Sequence, residues 1–273
     1  MRRFSIGDAE VGGPRLLVVA GPCVVEGAEM CLRVATALKS ACDARGLPYV
    51  FKASYRKANR SSGQSFAGPP MDEALAVLAR VKREVGVPVL TDVHEVGEVA
   101  AAAEVADALQ IPAFLCRQTA LLEAAGRTGR AVNVKKGQFL APGDMRNVAE
   151  KLERAGCTRL LLTERGASFG YGDLVVDMRS FVVMRELGWP VLYDATHSLQ
   201  RPGGTETGGD RRFAFPLLRA AVACGVDGVF FEAHPDPAHA LSDAATQLPL
   251  EQAAAFVEEA LRIHEAARET VRG

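Results

Sequence analysis

Short apolar runs alternate with longer amphipathic stretches from one end of the chain to the other. The runs are Leu16–Ala20, Tyr49–Phe51, Val87–Leu90, Ala108–Ile111, Ala131–Val134, Leu160–Leu162, Val191–Tyr193 and Gly228–Phe231. Between and after them, at 28–45, 71–85, 95–104, 118–127, 143–155, 177–187, 211–224 and 249–270, lie segments rich in Ala, Glu and Arg with helical spacing of their apolar residues. Continuous apolar runs, as opposed to alternating ones, are what a parallel sheet covered by helices requires. Strand–helix units repeated without a break in composition predict an α/β fold, a closed (β/α)8 TIM barrel; an open doubly wound sheet is the alternative. The whole of 1–273 is expected to be one domain, with residues 1–13 forming a short N-terminal hairpin cap under the barrel.

Composition narrows this picture. A length of 273 residues suits one such barrel, which usually takes roughly 250. The chain is 48% hydrophobic but only 6% aromatic, enough for a large aliphatic core. Its 32 basic and 33 acidic residues are interspersed and leave a net charge of −1, which argues against a nucleic-acid or membrane surface. An anionic ligand would have to be captured by local cations. The six cysteines form no CxxC pair, and a chain of this size needs no disulfide staples. The start has no apolar core before a cleavage site, and no apolar run reaches membrane-spanning length, so a cytoplasmic protein with reduced thiols is expected.

Barrel active sites lie where strands end, so the residues that follow each run matter most. They are polar or conformationally special throughout: Gly21-Pro22-Cys23, then Lys52 and Ser54, then Asp92-Val93-His94, and then Pro112-Ala113 with Arg117. The later ends give Lys135-Lys136, Glu164-Arg165, Asp194-Ala195-Thr196-His197 and Glu232-Ala233-His234. Past the second run, Lys57-Ala58-Asn59-Arg60-Ser61-Ser62 has no apolar periodicity and combines cations, an amide and hydroxyls. That mixture suits a phosphorylated, polyhydroxylated ligand. Lys52, Lys57, Arg60, Arg117, Lys135 and Arg165 would converge in a barrel and repel one another unless anionic groups bound among them.

Metal-type ligands gather on the other side. Cys23 follows the first run, His197 the seventh and Glu232 the eighth, and Asp243 lies in the last loop. Barrel closure makes these positions neighbours. A thiolate, an imidazole and two carboxylates suit a divalent transition metal, Fe(II), Zn(II) or Mn(II), better than Mg(II). His94, His234 and His239 are weaker candidates, the first across the barrel and the others in a Pro-rich turn.

The segments Gly21-Pro22-Cys23, Phe51-Lys52, Lys57–Ser62, Thr91–Glu95, Ile111–Thr119, Val132–Phe139, Thr163–Gly166, Phe169–Tyr171, Asp194–His197 and Phe231–Pro235 together resemble the 3-deoxy-D-manno-octulosonate 8-phosphate synthase family. The resemblance runs from about Ala20 to Leu250. It implies a TIM barrel, usually a homotetramer, that condenses phosphoenolpyruvate with arabinose 5-phosphate for lipopolysaccharide synthesis. Cys23 stands where metal-independent members carry Asn, which implies the metal-dependent branch with Cys23, His197, Glu232 and Asp243 as ligands. Carried over by position, Lys135 and Arg165 would hold the phosphate of phosphoenolpyruvate, with Arg117 nearby. Lys52 and Lys57 would lie near its carboxylate and the reacting centre, with Ser54 and Ala113 beside it. Asn59, Arg60 and Ser61 would take the sugar phosphate, and Lys57, Asn59, His197 and Cys23 would be the catalytic group. Arg56 stands where the family pattern has Asp, and Gly63-Gln64 and Ala67 interrupt its continuation. The related synthase that uses erythrose 4-phosphate carries Lys-Pro-Arg-Thr where this chain has Lys57-Ala58-Asn59-Arg60, so that substrate is the alternative. A Schiff-base aldolase using Lys52 or Lys135, or a non-catalytic phosphate-binding barrel, would leave the four metal-type positions unexplained.

Overall fold

The computed structural model describes residues 1–58, 66, 68–169, 172–202 and 208–270, with side chains to 268. Asn59, Arg60 and Ser61 therefore lie outside the described residues. Eight parallel strands form the barrel: β1 (Leu17–Gly21), β2 (Tyr49–Lys52), β3 (Val89–Asp92), β4 (Ala108–Ile111), β5 (Ala131–Lys135), β6 (Leu160–Glu164), β7 (Val191–Asp194) and β8 (Gly228–His234). Each pairs with the next, and β8 pairs with both β7 and β1, which closes the ring. The helices that follow in turn are α1 (Ala28–Asp43), α2 (Met71–Val85), α3 (Val99–Val105), α4 (Thr119–Arg127), α5 (Met145–Arg154), α6 (Arg179–Arg185), α7 (Ala214–Ala223) and α8 (Ala253–Thr270).

The expected elements are present with shifted ends. Pro88 has no N–H to offer a ladder, so the third strand begins at Val89 and runs on through Thr91 and Asp92. The eighth runs three residues past the apolar stretch, to His234. The third helix begins later than expected, at Val99, after a 3₁₀ turn over Val96–Glu98 that Glu95 and Glu98 close with a reciprocal capping box.

Two apolar layers carry the barrel. Outward-facing strand residues such as Val18, Phe51, Leu109, Val132 and Phe231 pack under the helices. Inward-facing Leu17, Val19, Val50, Leu90, Ala108, Ala131, Leu161, Leu192 and Phe230 fill the interior. The hairpin Phe4–Ile6/Ala9–Val11 adds Ile6, Ala9 and Val11 to that inner layer and plugs the N-terminal end, as the sequence led us to expect.

Side chains alternate across a strand, so the next inward position is two residues on. Val50 is followed by Lys52, Leu90 by Asp92, Ala108 by Gln110, Leu161 by Thr163, Leu192 by Asp194 and Phe230 by Glu232; Ala131 leads to Asn133 and Lys135. One step along the axis therefore turns an apolar plug into a ring of buried polar groups.

Candidate active site

At the C-terminal end of β1 the chain must pass very close to β2. A Cβ on Gly21 would lie 2.0 Å from the Lys52 carbonyl oxygen, so only glycine fits there. Pro22 and Cys23 follow, and the Cys23 thiol is fully buried. The last loop returns to this point because Leu248–Pro249 pairs with Ala233 and His234 of β8. Buried Gln247 clamps it: its Oε1 accepts from the Cys23 N–H at 3.2 Å, and its Nε2 donates to the Ser242 carbonyl at 2.8 Å. Asp243 adopts φ 49°, strained for a non-glycine residue, and its Oδ2 lies 3.1 Å from Cys23 Sγ.

Cys23 Sγ and one carboxylate oxygen each from Glu232 and Asp243 lie within 4.8 Å of one another. His197 Nε2 faces the same point, 3.6 Å from Glu232 Oε1 and 3.8 Å from Asp243 Oδ2. Its direction is set from behind. His197 Nδ1 meets Asp194 Oδ2 at 2.8 Å, and Asp194 Oδ1 accepts the N–H groups of Thr196 and His197 at 3.0 and 2.9 Å. A carboxylate behind an imidazole favours the tautomer that leaves Nε2 free to bind. Glu232 Oε2 is buried without a hydrogen-bond partner among the described residues. An orphaned carboxylate oxygen within a Cys–His–Glu–Asp set fits a divalent transition cation.

The cations take positions around this cluster. Lys52, 1% exposed, donates to Glu232 Oε1 at 2.6 Å and to the Cys23 carbonyl at 3.0 Å. Lys135 donates to Asp194 Oδ2 at 2.7 Å and sits 3.0 Å over the Phe230 ring. The repulsion expected among converging cations is thus met by buried carboxylates, which the sequence reading had not paired with them. Arg165 differs: its Nη2 donates to Gln200 Oε1 at 2.7 Å, while its buried Nη1 has no partner among the described residues.

Between these groups a cavity of about 170 Å³ opens, lined by Lys52, Ser54, Lys57, Asp92, His94, Gln110, Ala113, Phe114, Lys135, Gln138, Arg165, Asp194 and His197, among others. Ser54 presents a buried hydroxyl without a partner among the described residues. Arg117 is exposed and does not line the cavity, although its carbonyl accepts from Lys151 at 3.2 Å. Lys136, adjacent to Lys135, turns away to the carbonyls of Gly137 and Leu140.

The charges are held by their neighbours. Burial, reinforced by Asp243 and Glu232, pushes the Cys23 thiol well above its usual range. Burial also works against the Glu232 carboxylate, but Lys52, His197 and Lys57 hold it down to about 2. Asp194 is likewise kept ionised against burial, by His197 and Lys135. Burial lowers Lys135 to about 8, partly offset by Asp194. For Lys57, burial is outweighed by the ionised carboxylates of Glu232, Asp92 and Asp243, and its ammonium is raised above its ordinary value.

A further wall of the cavity holds Asp92 and His94, set at a strand end in the sequence but given no substrate role there, together with Gln110. Asp92 Oδ2 meets His94 Nε2 at 3.1 Å, His94 Nδ1 meets the Tyr55 hydroxyl at 3.3 Å, and that hydroxyl donates to Glu98. Gln110 also faces the cavity, its Oε1 accepting from Asn133 Nδ2 at 3.0 Å. A polar residue two places after an inward apolar one was the available signal for Gln110, and it was hidden inside an apolar run.

The family model for DAHP synthetase I matches residues 5–268. The chain is 56% identical over 259 residues to a 2-dehydro-3-deoxyphosphooctonate aldolase of Trichlorobacter lovleyi, covering 94% of this chain and 95% of that one. A protein of the same name from Syntrophobacter fumaroxidans is 53% identical over 272 residues, 99% of this chain and 94% of its own. One from Koribacter versatilis is 53% identical over 268 residues, 96% of each.

Proposed function

The chain belongs to the DAHP synthetase I family, and from that membership and its relatives' shared activity we infer the reaction. It condenses phosphoenolpyruvate with D-arabinose 5-phosphate and water to give 3-deoxy-D-manno-octulosonate 8-phosphate and phosphate, in the synthesis of lipopolysaccharide. The observation that carries this reading is more than 50% identity over nearly the whole chain to relatives bearing one activity. Convergence of Lys52, Lys57, Lys135 and Arg165 on one cavity agrees with it.

In our reading, Lys135 and Arg165 take the phosphate of phosphoenolpyruvate, the Nη1 of Arg165, unpartnered among the described residues, being the donor for it. Lys52, Lys57, Ser54 and the Ala113 segment surround its carboxylate end. Asn59, Arg60 and Ser61 take the sugar phosphate, with Arg60 on the phosphate. Cys23, His197, Glu232 and Asp243 would hold a divalent Fe, Zn or Mn ion, which when bound supplies Lewis-acid polarisation and acidifies a water. The reaction forms a bond from C3 of phosphoenolpyruvate to the aldehyde carbon, adds water at C2 and releases phosphate by C–O cleavage. Lys57, kept charged, can neutralise the alkoxide that develops on the aldehyde oxygen. Asp194 holds the His197 ring and compensates Lys135, so neither moves as charge shifts. Fixing both phosphorylated substrates in reacting order can lower the barrier of the reaction by several kcal/mol, on the order of 7 in well-oriented cases.

We also propose a homotetramer working in the cytoplasm; Arg117, expected near the phosphate of phosphoenolpyruvate, is exposed and outside the cavity lining, and no role is assigned to it. Exposed Phe114, Phe139 and Phe169, on the loops after β4, β5 and β6, support a covered face there. Among the described residues no helix is long and apolar enough to cross a membrane.

The test is phosphoenolpyruvate consumption with arabinose 5-phosphate, on chelator-stripped protein before and after divalent metal is restored. Activity that returns only with metal supports both the substrate pair and the cation site. Equal activity without metal removes the cation from the reading, and turnover with erythrose 4-phosphate instead replaces the sugar.

A further inference from the structure

Gln200 lies outside the polar inner ring of the barrel, at the end of the 3₁₀ turn His197–Leu199. Its amide nevertheless spans two groups of opposite charge. Oε1 accepts from Arg165 Nη2 at 2.7 Å, and Nε2 donates to Asp243 Oδ1 at 3.2 Å. The orientation of this amide is unambiguous, because a guanidinium can only donate and a carboxylate can only accept. Few other side chains could serve both ends: Glu offers no donor, and Lys no acceptor.

Each contact orders a different binding element. With Oδ1 engaged by Gln200, Asp243 directs Oδ2 toward Cys23 Sγ, 3.1 Å away, and toward His197 Nε2, 3.8 Å away. With Nη2 engaged, Arg165 is left with Nη1 buried and unpartnered among the described residues, beside the cavity. The seat of Gln200 is itself built. Gln200 pairs with Gly209, where a Cβ would lie 2.2 Å from Thr246 Cγ2, so glycine lets the Asp243 loop pack directly on this strand pair. Thr246 in turn donates its N–H to the Asp243 carbonyl at 3.0 Å.

We propose that Gln200 is a positioning residue that couples the anion subsite at Arg165 to the cation subsite at Asp243, so that phosphoenolpyruvate and a divalent cation each tighten the binding of the other. This rests on the two subsites assigned under Proposed function. Both ligands favour one arrangement of the Arg165–Gln200–Asp243 bridge, so whichever binds first orders it for the second, and the effect is reciprocal. Attraction between an anion and a cation in one cavity adds a coupling that does not depend on Gln200. The test must therefore separate the two.

The experiment titrates chelator-stripped full-length protein with Co(II), read by the thiolate-to-cobalt absorption band, with and without saturating phosphoenolpyruvate. Phosphoenolpyruvate binding is measured reciprocally by calorimetry with and without Co(II). The variants are Gln200→Met, close in volume but unable to bridge, and Gln200→Glu, which keeps the acceptor for Arg165 and loses the donor to Asp243. The expected result is a wild-type coupling factor at least about five-fold larger than in either variant, the same from both directions. Both variants should lower phosphoenolpyruvate affinity without metal, Gln200→Met by leaving Arg165 Nη2 unpaired and Gln200→Glu by setting a competing negative charge on the guanidinium, so the coupling factor and not the affinity alone is the readout. Coupling in both folded variants within about two-fold of wild type overturns the proposal and leaves the subsites standing. Absence of the thiolate band in the wild-type protein overturns the cation subsite itself, and the coupling with it.

Discussion

Cys23 and Glu232 show how one site holds opposite protonation demands side by side. The buried thiol keeps its proton because burial, Asp243 and Glu232 all work against the thiolate, while the carboxylate gives its own up beside Lys52, 2.6 Å away. A cation binding at Cys23 must therefore displace the thiol proton, and Co(II) affinity should rise roughly ten-fold per pH unit below the thiol pKa. Titrations at several pH values check this; a Cys23→Ser variant should lose the thiolate band and most of the slope, and a flat profile in the wild type would remove Cys23 as a ligand. Glu232 makes a separate prediction about stability. Its folded pKa is depressed from 4.5 to about 2, so its contribution is fully present above the unfolded value and is lost as pH falls toward the folded one. Glu232→Gln leaves Lys52 buried without its counter-charge, at a cost of about 3–5 kcal/mol near neutral pH. The gap from wild type should narrow by about 1 kcal/mol or more between roughly pH 5 and pH 3.5, measured by urea unfolding; a constant gap would mean that folding does not favour the ionised form of Glu232.

At the scale of elements, the site depends on how closely β1 passes β2 and on how the last loop returns. Gly21→Ala would push a methyl into the Lys52 carbonyl, which belongs to backbone and cannot swing aside. It should lower stability by about 3 kcal/mol or more, a fall in melting temperature of at least about 5 °C, with metal binding weakened because Cys23 is two residues on. An unchanged melting temperature would show that the strands can separate at no cost. The shifted start of β3 belongs here too. Apolar character marks Val87, but Pro88 cannot join the ladder, and what extends the strand to Asp92 is pairing with Leu109 and Gln110 of β4. Pairing partners are not visible in a local run of residues.

For the whole molecule, closure of β8 onto β1 and β7 brings Cys23, His197 and Glu232 together. The exposed aromatic face carries a prediction at this scale. Phe139→Asp should shift the proposed tetramer to smaller species in light scattering, with the far-UV circular dichroism of the barrel unchanged at low temperature; an unaltered mass would place the subunit contact elsewhere. The barrel, its plugged end, the chemistry of its strand ends and the family were already legible in the chain. Apolar runs at regular intervals can be buried in few other ways, and strand ends carry Cys, Lys, Asp, Arg, His and Glu whatever the geometry. Which of those residues would meet was not legible. Pairing of Lys52 with Glu232 and of Lys135 with Asp194 joins strands far apart in sequence, and it turned an expected repulsion into compensated charge. The mark of Gln110, a polar residue two places after an inward apolar one, is masked by the apolar run around it, and Gln200 merely follows a short turn. Their roles come from distances across the closed ring, because a hydrogen bond depends on where two atoms lie and not on how many residues separate them.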